Sequence, residues 1–375
     1  SGSLNETDPQ RGIAHFLEHM AFNGSENFPP GSVVPFFESL GLTFGQHQNA
    51  FTSFDQTVYQ LALPDVTDEK LDKALTFMAD VAGRLTLDSG EIDQERQIIM
   101  EEKRSRLGAR QRIQDIVFKR IAPGSTFGDR LPIGVEETIL GMTPQDFNDY
   151  YRRWYVPSNM TLIVVGDIDE QKILGHVRSK MSVGAKSEIP TDIPVGVTAA
   201  SSPAAVVVQD KELTRAGVSM LRVGPARAPS VSRDDARRDL IEQLAAFAFN
   251  RRVEEKINEG KVAFQSGGGG ISVLFQAMVL SQAQAGGEGE NWEPIFRDLA
   301  MEVQRARTFG FTAEELDDVR KEILASLELS ARREDTVDAR AVLGRINTAI
   351  ADGGPIRSAS QDLELAKEIL PTISA

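Results

Sequence analysis

The chain has 375 residues, of which 41% are hydrophobic and 26% charged, a composition typical of a globular protein with room for two domains and substantial cores. Its net charge of −14 disfavours binding to nucleic acid or to an anionic membrane, and the sequence contains no apolar run of about 18 residues that could span a bilayer. The absence of cysteine excludes disulfides and thiolate metal sites, so any metal must be bound by histidine, carboxylate or carbonyl groups.

The first half of the chain combines helical patterns with strand patterns. Two short helices are predicted to end at Gly24 and Gly41. The segment 42–63 then alternates and is rich in Thr, Phe, Val and Tyr, which predicts two strands with a turn at "SFDQ". A buried strand is predicted within "MTLIVVGDID", residues 160–169. The remaining helical patterns of this half cover residues 67–85, 88–122, 143–155 and 170–183.

The second half repeats this kind of order after a segment rich in Pro, Gly, Ser and Ala, residues 184–203, which predicts a linker between domains. Strands are predicted at 204–210, at 216–224 and within 270–284, and helices near 232–259, 291–309, 312–334 and 336–352. We therefore predict an α+β fold with two related domains, 1–183 and 204–375, each a mostly antiparallel sheet with helices packed on one face. The glycine-rich "QSGGGGIS" lacks the spacing of a phosphate loop and predicts a turn or a close strand approach.

The stretch "AHFLEHM" contains two of the four histidines of the chain. His15 and His19 are four residues apart, so on a helix both imidazoles face the same side and can bind one metal ion. Glu18 lies beside that side, where its carboxylate can take a proton from water at the metal. The alternative is a buried helix with two hydrogen-bonded histidines. The pairing with Glu18 in so histidine-poor a chain favours the metal site.

A third ligand is expected from the stretch "ERQIIMEE". Glu95 and Glu102 are two helical turns apart and share a face, whereas Glu101 is rotated away from it. One residue of the aligned pair can bind the metal while the other orients a histidine. The apolar "QIIM" between them indicates a half-buried helix, which favours this interpretation over an ordinary solvated face.

The order H-x-x-E-H is the inverted form of the common zinc-protease motif. With "NAFTSFDQTVYQL", "ERQIIMEE" and "FNDYYRRWYVPSNMTLIVVGDID" in this order over residues 1–180, the sequence resembles the pitrilysin (insulinase) family of zinc metallopeptidases. The second half is similar to the family more loosely, and "ADGGPIRSASQDLELAKEILPTIS" resembles its large bacterial periplasmic branch. The resemblance implies a half-clamshell of two domains, a zinc endopeptidase acting on peptides or unfolded segments, and a periplasmic or otherwise exported bacterial protein.

The resemblance also implies a role for each matching residue. His15, His19 and Glu102 match the ligands of one zinc ion, Glu18 matches the general base, and Glu95 matches the glutamate that supports the ligands. Three further positions match the strand along which the family binds an extended peptide substrate, and these are Asn49, Ala50 and Thr52. His47 precedes that strand and is expected to be a surface or cleft histidine rather than a ligand.

The sequence departs from the family pattern in two respects. The metal helix begins almost at the first residue, so we expect the first domain to lack its first strands, and we allow for truncation of the second, non-catalytic domain. Full enzymes of the family consist of four such domains, so we expect a second homologous half, on the same longer polypeptide or as a separate subunit. The alternatives are a non-catalytic binding or assembly subunit, or an inactive fragment. A purely structural zinc site normally has four protein ligands, and only three are predicted here.

Overall fold

The chain forms two compact units of helices and small antiparallel sheets in a computed structural model, and this architecture confirms the predicted α+β class. The first unit is formed by Ser1–Arg112 and Thr126–Val195, and the second by Ile113–Ser125 and Gly196–Ala375. The structure describes residues 1–43, 45–181, 188–289 and 292–374. Every helix within those ranges is too short or too polar to cross a membrane.

The first unit contains two strands and most of the shorter helices. Its strands are β1 (Gln48–Thr52) and β2 (Thr57–Leu61), paired antiparallel with Ala50 opposite Tyr59. Its helices are α1 (Ile13–Met20), α2 (Val33–Ser39), α3 (Asp68–Gly83), α4 (Ser89–Ser105), α6 (Glu136–Gly141), α7 (Pro144–Trp154) and α8 (Glu170–Lys180), while α5 (Ala109–Ile121) crosses the division between the units.

Helix α1 packs its apolar side into the main core of the first unit. Ile13, Phe16, Leu17 and Met20 are at most 1% exposed and pack with buried residues of α4, α6 and α7. Burial of each such side chain stabilises the fold by about 1.5–3 kcal/mol. Since α1 has only eight residues, its stability depends on this packing rather than on helix propensity.

The second unit is built on a three-stranded antiparallel sheet in the order β3-β5-β4. Long helices pack against it, and buried side chains of the sheet such as Ala283 and Ala285 contact Phe249, Ile295 and Leu299. The strands are β3 (Arg215–Pro225), β4 (Ser266–Leu274) and β5 (Met278–Glu288), and the helices are α9 (Arg233–Asn258), α10 (Trp292–Phe309), α11 (Ala313–Arg332), α12 (Ala339–Ala351) and α13 (Ala359–Ile369).

The glycine-rich segment forms strand β4 rather than a phosphate loop. An added Cβ at Gly269 would lie 2.6 Å from the carbonyl oxygen of Gln282 on β5, and one at Gly267 would lie 3.2 Å from that of Gln284. Small residues are therefore needed where the two strands and the side chains of α9 approach closely.

The structure differs from the predicted helix over 88–122, which it divides into two. Helix α4 ends at Ser105 and α5 begins at Ala109, with Gly108 between them. The N–H of Leu107 donates to the carbonyl of Arg104 and that of Gly108 to Arg106, so the α-helical hydrogen-bond pattern is interrupted there. Glycine costs about 1 kcal/mol in a helix interior and favours helix ends.

Two predicted strands are wrong in the structure. Neither 160–169 nor 204–210 contains a strand, and Leu162 and Val207 are 39% and 84% exposed. A strand needs a neighbour to accept and donate backbone hydrogen bonds, and within the described ranges no strand pairs with either segment. The predicted domain boundaries remain a prediction, and residues 184–187 of the predicted linker lie outside the described residues.

Candidate metal centre

Helices α1 and α4 bring three predicted ligands together. One donor atom each of His15, His19 and Glu102 lies within 4.8 Å of the other two. The Nε2 atoms of both histidines are 3.5 Å from the same atom, Oε2 of Glu102. The helical spacing accounts for this geometry, since His15 and His19 share one side of α1 and face the last turn of α4.

Glu95 lies behind this group rather than in it. Its Oε1 is 2.7 Å from Nδ1 of His19, and its Oε2 accepts a hydrogen bond of 2.6 Å from the side-chain amide of Asn23. With Nδ1 held in this way, Nε2 of His19 is the nitrogen directed toward Glu102. Of the two glutamates spaced by two helical turns, Glu102 lies in the group and Glu95 lies against His19.

Glu18 lies beside the three-residue group and is held by strand β1. The hydroxyl of Thr52 donates a hydrogen bond of 2.6 Å to Oε2 of Glu18, whose side chain is buried. Burial raises the pKa of Glu18, while the hydrogen bond from Thr52 acts in the opposite direction. A carboxyl group with a raised pKa and one oxygen not engaged by Thr52 is suited to accept a proton.

Each titratable group of the centre shifts the pKa of its neighbours. Burial lowers the pKa of His15, and the nearby His19 lowers it further. Burial also acts to lower the pKa of His19, but its contacts with Glu102 and Glu95 outweigh that effect and raise the pKa to about 9. The contact with His19 holds the pKa of Glu102 well below its ordinary value. At neutral pH, without a metal, His19 therefore carries a proton between two carboxylates.

The donor set fits a zinc ion. Two imidazole nitrogens and one carboxylate oxygen are ordinary zinc ligands, and three protein ligands leave a position for water or substrate. Oε2 of Glu102 is buried and has no hydrogen-bond partner among the described residues. A buried carboxylate oxygen without a hydrogen bond is costly, and the 3.5 Å separations are longer than a good hydrogen bond. A cation between the three atoms would satisfy this oxygen.

The predicted peptide-binding positions lie on β1, and Thr52 among them is hydrogen-bonded to Glu18 at the candidate centre. The N–H of Ala62 donates to the carbonyl of His47, and the N–H of Ser53 donates to the carbonyl of Gln56. In this register the backbone groups of the odd-numbered residues of β1 face β2. The backbone groups of Ala50 and Thr52 consequently face the outer edge. The N–H of Ala50 is engaged by the side-chain oxygen of Asn49 at 3.0 Å. His47 lies outside the metal-ligand group.

Sequence reasoning missed three contacts that shape the centre. Arg106 forms an ion pair with Oε1 of Glu102, the oxygen that does not face the histidines. Asn23 orients Glu95, and Thr52 orients Glu18. The contact of Arg106 had a signal in the sequence, because Arg106 follows Glu102 by four residues. That of Asn23 had none, since Asn23 lies beyond the end of α1 and its partner Glu95 is 72 residues away. The contact of Thr52 had none, since it joins a strand to a helix 34 residues away.

Comparisons with known proteins identify related families and relatives. The family "Insulinase (Peptidase family M16)" matches residues 1–126, and "Peptidase M16 inactive domain" matches residues 141–323. The chain is 31% identical to the probable zinc protease PqqL of Escherichia coli (strain K12) over 382 residues, which covers all of this chain and 40% of that protein. A zinc protease PQQL-like protein of Arabidopsis thaliana is 26% identical over 377 residues, covering all of this chain and 36% of the relative.

Solved structures show the same similarity. The crystal structure of the first half of the periplasmic protease PqqL from Escherichia coli superimposes with a TM-score of 0.93 at 28% identity, covering all of this chain and 80% of that one. Pitrilysin, at 16% identity, shares the fold with a TM-score of 0.70. The chain spans less than half the length of these two curated relatives. From its sequence, its fold and the convergence of His15, His19 and Glu102, the chain belongs to the insulinase family of peptidases, M16.

Proposed function

We propose that the chain is the catalytic half of a zinc-dependent endopeptidase, with His15, His19 and Glu102 as ligands of one zinc ion. The observation that carries the proposal is the convergence of these three side chains, with Glu18 beside them and held by Thr52. Bound zinc supplies a positive charge that makes a water molecule more acidic and polarises the peptide carbonyl.

Glu18 acts as the general base and then as the general acid. Its carboxylate takes a proton from the attacking water and delivers that proton to the leaving amine. Thr52 holds one of its oxygens, so the other is directed to the reaction. Glu95 holds Nδ1 of His19 and keeps Nε2 available as a ligand.

The peptide substrate adds to the outer edge of β1 as an extended strand. The outward backbone groups of Ala50 and Thr52 are the partners for its main-chain hydrogen bonds. The side chain of Asn49 must first release the N–H of Ala50. Main-chain recognition of this kind requires an extended segment, which supports peptides or unfolded regions as the substrate class.

Turnover requires a second, homologous half, on the same longer polypeptide or as a separate subunit. This part of the proposal is supported by the lengths of the relatives, of which the chain covers 40% and 36%. A periplasmic or otherwise exported location is proposed from the description of the Escherichia coli relative as a periplasmic protease. The second candidate, a binding subunit or inactive fragment, is favoured only by the match of residues 141–323 to an inactive domain.

The deciding experiment measures zinc content and peptidase activity on unstructured peptides. It compares the chain alone with the chain continued into the second half that the proposal requires. We expect one zinc ion per chain in both samples and turnover only in the longer one. Zinc without turnover in both would favour the binding subunit. Turnover by a demonstrated monomer of this chain would show that two domains are sufficient.

Replacement of the supporting glutamate is expected to weaken zinc binding. Glu95→Gln removes the negative charge next to Nδ1 of His19, and changes in such supporting groups typically lower metal affinity about 10–100-fold. Competition with a chromogenic chelator measures the dissociation constant. Glu101→Gln is the matched control, since its side chain is 71% exposed on the same helix. Equal affinities of the two variants would contradict the role given to Glu95.

Zinc binding is expected to release about one proton per ion near pH 7. The raised pKa of His19, about 9, means that this ring is protonated without metal and must lose its proton to become a ligand. As the pH falls below about 9, the proton competes better and the affinity drops about tenfold per pH unit. Calorimetry in buffers with different ionisation enthalpies measures the release. A proton count near zero at pH 7 would show that His19 is neutral or not a ligand.

A further inference from the structure

A buried carboxyl group outside the metal centre holds the start of the metal-binding helix. Glu6 is fully buried, and each of its oxygens accepts one backbone hydrogen bond of 2.9 Å. Gly12 donates to Oε2 and Ala14 donates to Oε1. Ala14 directly precedes His15, so the carboxylate is connected to a proposed ligand through a single peptide unit.

Helix α1 needs such an external cap. The first N–H groups of a helix have no partner within it, and the N-cap residue Gly12 has no side chain to supply one. The two side-chain oxygens of Glu6 accept from Gly12 and from Ala14 in this first turn. Helix α1 has only eight residues, so its first turn directly precedes the turn that carries His19.

The backbone of Glu6 is in turn held by Arg130. The Nε of Arg130, a residue 4% exposed, donates a hydrogen bond of 2.9 Å to the backbone carbonyl of Glu6, and its Nη2 is 2.8 Å from Asp8. Burial raises the pKa of Glu6 to about 8, against the opposing effect of the two backbone hydrogen bonds. A carboxyl group buried at such cost calls for a compensating role.

The backbone at the same point is packed without space for a side chain. Gly12 has a φ of 97°, and a Cβ added there would lie 2.9 Å from the Cα of Gly134. A Cβ added to Gly134, with φ at 69°, would lie 2.5 Å from the Cα of Gly12. The start of α1 is therefore held by the carboxylate of Glu6 and by a backbone contact, which together fix its position in the first unit.

We propose that Glu6 is a positioning residue for the zinc site. By capping Gly12 and Ala14 it sets the position of the first turn of α1, and thereby the position of His15 relative to Glu102. This inference rests on the proposed zinc site. It adds that the affinity for zinc depends on a carboxyl group that is hydrogen-bonded to the helix backbone and is not one of the proposed ligands.

The test replaces Glu6 by Gln in this chain and measures the dissociation constant of zinc by chelator competition. The amide nitrogen takes the place of one oxygen, so one of the two backbone N–H groups loses its acceptor. We expect zinc to bind about tenfold more weakly, at a temperature where circular dichroism shows the variant fully folded. Glu6→Asp, which is too short to reach both N–H groups, should show a loss in the same direction. Glu38→Gln, an exposed glutamate on α2, is the matched control and should bind zinc as the unmodified chain does.

The outcomes separate this inference from the proposed function. If the unmodified chain binds no zinc, the proposed zinc site fails and this inference fails with it. If the unmodified chain and the folded Glu6→Gln variant bind zinc equally, only the positioning role is overturned, even when the melting temperature falls. If neither Glu6 variant folds, Glu6 is a folding residue and the positioning role is likewise overturned.

Discussion

Glu18→Gln is expected to abolish most peptidase activity while leaving zinc bound. The amide cannot accept a proton from water, and loss of a general base typically lowers the rate about 10²–10⁴-fold. Zinc should remain because Glu18 is not one of the three converging ligands and its oxygen is held by Thr52. The measurement pairs kcat on an unstructured peptide with zinc content, in the longer protein that carries the second half.

Two comparisons make this expectation specific to the base. Glu101→Gln introduces the same chemical change on exposed α4 surface and should keep full activity. If Glu18→Gln removed zinc as thoroughly as a change of ligand does, Glu18 would be a ligand, and the assignment of base and ligand would have to be exchanged.

His15→Ala is expected to remove both zinc and activity. The change leaves only one imidazole and one carboxylate of the converging group, so zinc affinity should fall by more than the about 100-fold that changes in supporting groups reach. Zinc content after dialysis and peptidase activity of the longer protein are the two readouts. The buried site should also lose packing, so the melting temperature is recorded for each sample.

The matched control for this change is His47→Ala. His47 lies outside the ligand group and accepts a hydrogen bond from the N–H of Thr43, so its loss should leave zinc content unchanged. Retention of a full zinc equivalent by the folded His15→Ala variant would contradict the proposed ligand set. It would direct attention to another donor near His19 and Glu102.

The sequence predicted the centre better than it predicted the sheets. Helical phase, which is a local property, paired His15 with His19 and Glu95 with Glu102, and the family resemblance selected Glu102 as the ligand of the second pair. The strand prediction within 160–169 failed because a strand depends on a neighbour elsewhere in the chain. The capping of α1 by Glu6 could not be predicted either, since the intervening turn at Gly12 decides which backbone groups the carboxylate reaches.

The expected shortage of strands in the first domain remains a prediction. Unit 1 has the two-stranded sheet of β1 and β2 in its described residues, and a two-stranded hairpin is only marginally stable by itself. Its packing supplies the missing support, because β1 and β2 both contact α1. Whether further strands join this unit is tested by solving the longer protein with its second half.

The contact between Gly12 and Gly134 has a consequence for the evolution and engineering of this fold. Both residues have positive φ and each would collide with the backbone of the other if it gained a side chain. Both residues are already glycine, so a larger residue at one position cannot be compensated by a smaller one at the other. A substitution at either position would have to move the loop and the helix apart. The loop before α6 holds none of the proposed ligands, yet its glycine packs against the start of the helix that carries two of them. Directed-evolution libraries that seek new substrates should vary the exposed edge of β1 and leave this distant glycine unchanged.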